Sequence, residues 1–188
     1  PRLTSSSTMF GFSTIITKMI DVLQPPQRIA IAAHPEMPEA TELAEAIAQH
    51  LKAAGIYEVH GKINVPLFKE AVKNGGFDIL LALGGDGTML RAGHLCAPIN
   101  LAILGINLGR FGFLTEVRRE SWKDIMPRLL KGDYWLEGRM ILRAEHLRNG
   151  KKLGDWEIVN EAVIGRGAIV RPVRLTAHVN KCFLTTYV

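Results

Sequence analysis

The sequence predicts an α/β architecture, a parallel sheet with helices on its faces, followed by a segment built of strands. Three observations lead there. The short apolar runs RIAIAA (28–33), FDILLAL (77–83) and NLAILGIN (100–107) recur with helical stretches between them. Unbroken apolar runs of this length are how strands buried on both faces read. After Gly138 the texture changes to strand-like runs separated by polar turns. The order strand, helix, strand, helix, strand is that of a Rossmann-like parallel sheet, and the residues beyond Gly138 read as the first strands of an all-β domain.

Taken in order, residues 1–26 are Ser/Thr-rich with no acid before Asp21, which slightly resembles a transit peptide. The plainer expectation is a poorly ordered extension ended by Pro25-Pro26. From Gln27 the pattern is regular. RIAIAA is the first buried strand. Pro38 suits a first helical position, and Leu43, Ile47 and Leu51 then recur at helical spacing until Gly55 closes the helix. FDILLAL is a second buried strand, MLRAGHLC starts a second helix near Thr88, and NLAILGIN is a third strand. SWKDIMPRLLKG (121–132) predicts a further helix with Ser121 as N-cap and Asp124 three residues on, although Pro127 interrupts it.

RMILRAEHL, WEIVNEAVI, VRLTAHVN and FLTTYV read as strands, separated by RNGKKLGD, GRGAIVRP and KC. Asn149-Gly150 in the first gap is a strong hairpin signal. The domain boundaries expected are therefore 1–26, an extension; 27–137, the α/β domain; and 138–188, part of an all-β domain. No internal repeat is visible.

Composition bounds the function. With 47% hydrophobic and 22% charged residues, the 188-residue chain reads as an ordinary globular protein. Its net charge of +5 comes from basic residues scattered through 110–174, not from one Lys/Arg block with interleaved aromatics. That argues against a nucleic-acid partner and suits small phosphorylated ligands. Cys96 and Cys182 have no metal-ligand spacing, and a reducing cytoplasm is the expected location. No apolar run approaches the ~20 residues that cross a bilayer, so no membrane association is expected. The six histidines show no metal-ligand pairing, and Cys96 reads as packing, not as a nucleophile. No GxGxxG follows the first strand, so a hydride-transferring dehydrogenase is not supported.

The chemistry concentrates in GGDGT (84–88), at the end of the second strand. Ligands bind at the carboxyl ends of strands in open α/β sheets. Glycines there let backbone N–H groups approach a phosphate, and the following helix adds the positive end of its dipole. A carboxylate repels phosphate, so Asp86 needs another task. Two are sensible: taking a proton from a substrate hydroxyl, or holding Mg²⁺ through a water. An isolated Gly-Asp-Gly could also be a plain turn.

Context decides between these readings. GGDGT resembles the shared signature of a kinase superfamily that spans NAD kinases, diacylglycerol and sphingosine kinases and, more distantly, phosphofructokinases. GINLGRFGFLTE (105–116) and VNEAVIGRG (159–167) are similar to two further segments of the NAD kinase family, in the same order and at similar spacing. The resemblance covers about residues 27–188. It implies an enzyme that transfers the γ-phosphate of ATP to the adenosine ribose 2′-hydroxyl of NAD, with Mg²⁺ as the required divalent metal.

On the matching residues, it implies that Asp86 is the catalytic base and also part of the NAD site. Gly84, Gly85, Gly87 and Thr88 would shape the phosphate loop, and Gly87 and Arg91 would also belong to the NAD site. Phe113 would pack on the adenine, and Asn160 and Glu161 would hydrogen-bond NAD. Neighbours on a strand point to opposite faces, so joint binding by that pair requires a strand end or a distortion. Arg91, one turn beyond the loop, suits a phosphate or a solvated face equally; Arg171 matches a basic position near the NAD diphosphate; Arg110 reads as a loop charge. No protein ligand is assigned directly to the metal.

The resemblance also implies a further segment after Val188, an aspartate-glycine step and a Gly/Ser/Thr-rich run that completes the NAD site. The 188-residue chain is thus expected to be C-terminally incomplete and impaired as it stands. A lipid kinase of the same superfamily and a non-catalytic nucleotide-binding fragment remain as alternatives. Relatives of this kind suggest a homodimer or homotetramer.

Overall fold

The computed structural model describes residues 8–15, 24–109, 112, 114–159, 161–164 and 174–187. Its centre is a five-stranded, all-parallel sheet in the order β3-β2-β4-β5-β6. These strands are β2 (Arg28–Ala33), β3 (Tyr57–Lys62), β4 (Ile79–Gly84), β5 (Ala102–Asn107) and β6 (Val117–Arg118). Four helices are packed on it: α1 (Pro38–Ala53), α2 (Pro66–Asn74), α3 (Asp86–Cys96) and α4 (Trp122–Leu130).

The continuous apolar runs divide cleanly between two faces, because successive strand residues point opposite ways. Ile29, Ile31, Ile79, Leu81 and Leu83 pack with Leu43, Ile47 and Leu51 of α1 and Met126 and Leu129 of α4. Ala30, Ala32, Leu80 and Ala82 pack with Phe68 and Val72 of α2 and Ala92, Leu95 and Cys96 of α3. Small residues on the second face let α2 and α3 approach closely. The result is a three-layer sandwich with β2 and β4 at its centre.

The direction in which successive strands are added reverses between those two central strands. From β2 the chain moves outward to β3, then returns across β2 to β4 and continues to β5 and β6. The order is that of a doubly wound sheet with its switch point between β2 and β4, where the carboxyl-end crevice is the expected ligand site.

Several local expectations hold. The first strand runs from Arg28 to Ala33 as read, and Pro38 opens α1. Gly55 has φ +76° beyond the Ala54 cap, and Ile56 N–H donates to the Leu51 carbonyl at 3.0 Å. That is the left-handed C-terminal closure that favours glycine. Asn149 and Gly150 both have positive φ and join β7 (Ile141–Arg148) to β8 (Lys151–Ile158) as a two-residue hairpin. Asn180 and Lys181 do the same between β9 (Leu175–Val179) and β10 (Cys182–Tyr187).

Others are corrected. Thr8–Ile15, expected to lie in a poorly ordered extension, is a strand, β1, paired antiparallel with β7 along its whole length. An edge strand with unpaired backbone groups supplies the driving force for that addition. The helix expected near Thr88 begins two residues earlier, at Asp86. Ser121 sits at the N-cap position of α4 but makes no side-chain cap bond, because a 3₁₀ turn over Arg119–Ser121 already leads into the helix. The strand expected over 156–164 ends at Ile158 and begins at Lys151, since only two residues are needed for the turn. β3, α2 and β6 were not anticipated. β3 is a half-exposed edge strand and β6 has two residues, so neither writes a long apolar run.

Candidate functional site

β4 ends at Gly84 and α3 begins at Asp86, so GGDGT is a strand-to-helix turn at the carboxyl edge of the sheet. Thr88 N–H and Met89 N–H donate to the Gly85 carbonyl at 2.9 and 3.1 Å, closing the first turn. The first N–H groups of any helix lack intrahelical acceptors and carry the positive end of the dipole. Gly84 must be glycine here: an added Cβ would overlap Thr88 Oγ1 and lie 3.4 Å from His34 Cβ. His34, at the exit of β2, is thus the neighbour of the loop across the switch point, with its Nδ1 accepting from Glu36 N–H at 3.1 Å.

The exit of β5 forms the opposing wall. Asn107 is paired with Gly84 in the β4–β5 register, and its Oδ1 accepts from Gly109 N–H at 2.9 Å. Leu108 N–H donates to the Gly84 carbonyl at 3.3 Å. The chain then turns back over α3. Leu114 N–H donates to Asp86 Oδ1 at 3.1 Å. Gly112 lies so close that an added Cβ would overlap the Asp86 carboxylate. Asp86 is therefore held between the start of α3 and the 112–114 backbone, at the place where the dipole favours negative charge.

Thr88 is buried, at 1% exposure, and its hydroxyl has no hydrogen-bond partner among the described residues. Arg91 lies on the exposed side of α3, with Nη1 4.0 Å from where a Cβ on Gly87 would sit. Its guanidinium therefore reaches back to the loop. Glu161 is exposed and lies beyond the end of β8, in irregular chain. Phe113, Asn160, Arg110 and Arg171 lie outside the described residues.

The structure thus brings together Gly84, Gly85, Asp86, Gly87, Thr88 and Arg91. It adds Asn107, Gly112 and Leu114, which the sequence alone does not single out. Their only sequence signal is membership of the Gly-rich segment 105–116. Nothing in a linear pattern says that Leu114 N–H turns towards Asp86. A separate open recess near the switch point is lined by Glu36, Glu42, Glu45 and Lys62 among others. Three glutamates against one lysine is the wrong sign for a phosphate, so the loop after β4 is the better candidate.

Residues 64–134 match the family model of the ATP-NAD kinase N-terminal domain. The NAD kinase of Caldanaerobacter subterraneus is 39% identical over 131 residues, covering 70% of this chain and 44% of that protein. The NAD kinase of Moorella thermoacetica is 36% identical over 170 residues, covering 86% and 53%. That of Dehalococcoides mccartyi is 33% identical over 162 residues, covering 86% and 57%. The chain spans about half the length of these curated relatives. Among solved structures, yeast NADH kinase complexed with NADH superposes with a TM-score of 0.66 at 18% identity, covering 87% of this chain and 55% of that one. This last likeness speaks for the fold.

Proposed function

We propose, from the premise that this chain belongs to the NAD kinase family, that it serves the phosphorylation of NAD by ATP. The adenosine ribose 2′-oxygen attacks the γ-phosphorus, the bond from that phosphorus to ADP breaks, and the hydroxyl proton passes to Asp86. NADP and ADP are the products. The observation that carries this reading is the carboxylate of Asp86 held by Leu114 N–H at the head of α3, beside the Gly-rich turn after β4. A fixed base within reach of a hydroxyl is what general-base catalysis needs. The α3 N-terminus and Arg91 supply positive potential for the transferring phosphoryl group.

The residues fit a divalent metal that arrives with the nucleotide. Among the described residues no cluster of three His, Cys, Asp or Glu could cage an ion, and Mg²⁺ is ordinarily held by one or two carboxylates plus substrate phosphates. Asp86 would hold it through water, and the ion would neutralise charge on the phosphates.

Asn160 and Glu161, with Phe113 on the adenine and Arg171 near the diphosphate, form the NAD side of the same reading. A division into an α/β domain and a β domain, cytoplasmic residence and self-association as a dimer or tetramer belong to it as well. The test is NADP formation from NAD and Mg-ATP by the parent and by Asp86→Asn, each extended to the full length of the relatives. The substitution keeps shape but removes the base, and turnover should fall about 10²–10⁴-fold. Undiminished turnover would remove the assignment.

A further inference from the structure

The turn after β4 is flanked by the ends of two other strands. On one side β5 ends with Asn107 beside Gly84, and the chain beyond it returns to hold Asp86 through Leu114 N–H. On the other side β2 ends at Ala33, and the next residue is His34, whose N–H donates to the Leu83 carbonyl at 2.9 Å. His34 is half-buried. A Cβ on Gly84 would lie 3.4 Å from His34 Cβ and overlap Thr88 Oγ1. The space a side chain at 84 would fill is thus bounded by His34 and by a buried hydroxyl with no partner among the described residues.

The ring of His34 is fixed by its own backbone. Glu36 N–H donates to Nδ1 at 3.1 Å, the bond that an Asx turn makes to the N–H two residues on. A ring nitrogen that accepts carries no proton, so the proton is on Nε2. The two nitrogens project in nearly opposite directions, which turns Nε2–H away from the 34–36 backbone. That N–H has no acceptor among the described residues.

We infer that His34 Nε2–H is a ligand of the phosphoryl donor's phosphate chain, which lies on the β2 side of GGDGT, opposite the acceptor hydroxyl. The inference rests on the reading of this turn as the site of phosphoryl transfer. The two walls differ in the chemistry they offer. Phosphate oxygens only accept, and the β2 side presents an N–H beside the first turn of α3. A reacting hydroxyl needs an acceptor, and the β5 side holds a carboxylate. Attacking and leaving oxygens lie roughly in line across the phosphorus, so donor and acceptor must approach from opposite walls. Farther out, towards β3, the recess lined by Glu36, Glu42 and Glu45 repels phosphate and keeps the chain on the β4 side of His34.

The experiment is calorimetric titration of the 188-residue chain with Mg-ATP, and of the chain extended to the full length of the relatives with NAD. It is run on the parent, His34→Asn and His34→Gln. Asparagine keeps an acceptor for Glu36 N–H but has no group at the Nε2 position. Glutamine places an N–H near Nε2 and gives up the inner acceptor. His34→Asn should bind Mg-ATP about tenfold more weakly, the size of one hydrogen bond to a charged group, with NAD affinity unchanged. His34→Gln should bind Mg-ATP as the parent does. The reverse order would give His34 a role in the 34–36 turn alone and overturn the inference. Equal Mg-ATP affinity in all three proteins, a loss that falls on NAD, or no Mg-ATP binding by the parent would overturn it too. The expected Mg-ATP pattern in an extended chain that forms no NADP would uphold His34 as a phosphate ligand and overturn the reading of the reaction.

Discussion

Leu114 N–H donates to Asp86 Oδ1 across 3.1 Å, tying the backbone after β5 to the first residue of the helix after β4. The carboxylate is positioned by main chain, which cannot rotate away as a side chain can.

Gly112 is the sensitive point of that arrangement. An added Cβ would overlap the Asp86 carboxylate, so Gly112→Ala must push the carboxylate or the loop aside. A displacement of ~1 Å at a reacting group can cost about a hundredfold in rate. On the proposed function, Gly112→Ala should therefore lower kcat for NADP formation in the extended chain by about that factor while the melting temperature stays near the parent's. Gly138→Ala, where an added Cβ meets nothing within 4 Å, is the control. Equal kcat in all three proteins would show that Asp86 placement is not limiting.

Gly84 and Thr88 should prove energetically coupled. A Cβ on Gly84 would overlap Thr88 Oγ1, and the residue has φ +157°. Gly84→Ala should cost about 1–3 kcal/mol in denaturant unfolding, as overpacking does. Removing the hydroxyl with Thr88→Ala should recover part of that cost in the double variant, since neighbouring sites are non-additive. Strictly additive losses would contradict the contact.

The two cysteines should differ sharply in reactivity. Cys96 is buried between α3 and the sheet, and burial pushes its thiol up to about 12. Cys182 is exposed. The thiolate is the reactive form, so a thiol reagent at pH 8 should label one cysteine quickly, and Cys182→Ser should remove that phase. Stability has a matching pH dependence. Cys96 is neutral in both states below the unfolded thiol value of about 8.5, and its contribution is lost as pH rises from there towards 12. Rapid labelling of Cys96 in native protein would contradict its burial.

The β7–β8 hairpin should be sensitive to acid. Asp155 is paired with Arg143 and with Lys152, the latter at 3.1 Å. The Arg143 hydrogen bond, followed by that of Lys152, holds its carboxyl below the ordinary carboxylate range. A depressed folded value means the contribution is complete above the unfolded Asp value of about 3.9, and it disappears as pH falls through the folded one. Hairpin amide protection should thus be level from neutral pH to about 5 and fall below about 4. In Asp155→Asn that acid step should be absent. Because the cluster is exposed, about 1 M salt should blunt it too.

Legibility followed burial. β2 and β4 were readable because both faces are covered, which forces an apolar residue at every position. α1 was readable because a single face is covered, which writes Leu43, Ile47 and Leu51 at helical spacing. β3 escaped because Tyr57–Lys62 is an edge strand with mixed exposure, and β6 because two residues hold no period. β1 escaped because its partner, β7, lies more than a hundred residues away. At the site, GGDGT was legible since glycines, a carboxylate and a helix start are consecutive.

What the sequence determined by itself was local. It set the buried strands, the closures at Gly55 and Asn149-Gly150, the Gly-rich turn GGDGT, and the family resemblance through three ordered motifs. The tertiary structure alone decided which distant groups meet: Leu114 with Asp86, Asn107 beside Gly84, and His94 between Leu90 and Glu157. The physical reason is that periodicity and turn chemistry act over a few residues, whereas these contacts arise from strand order. A parallel crossover brings the ends of β4 and β5 together whatever the side chains between them are. The geometry around Asp86 is therefore a property of the sheet, and the sequence shows only the pieces it joins.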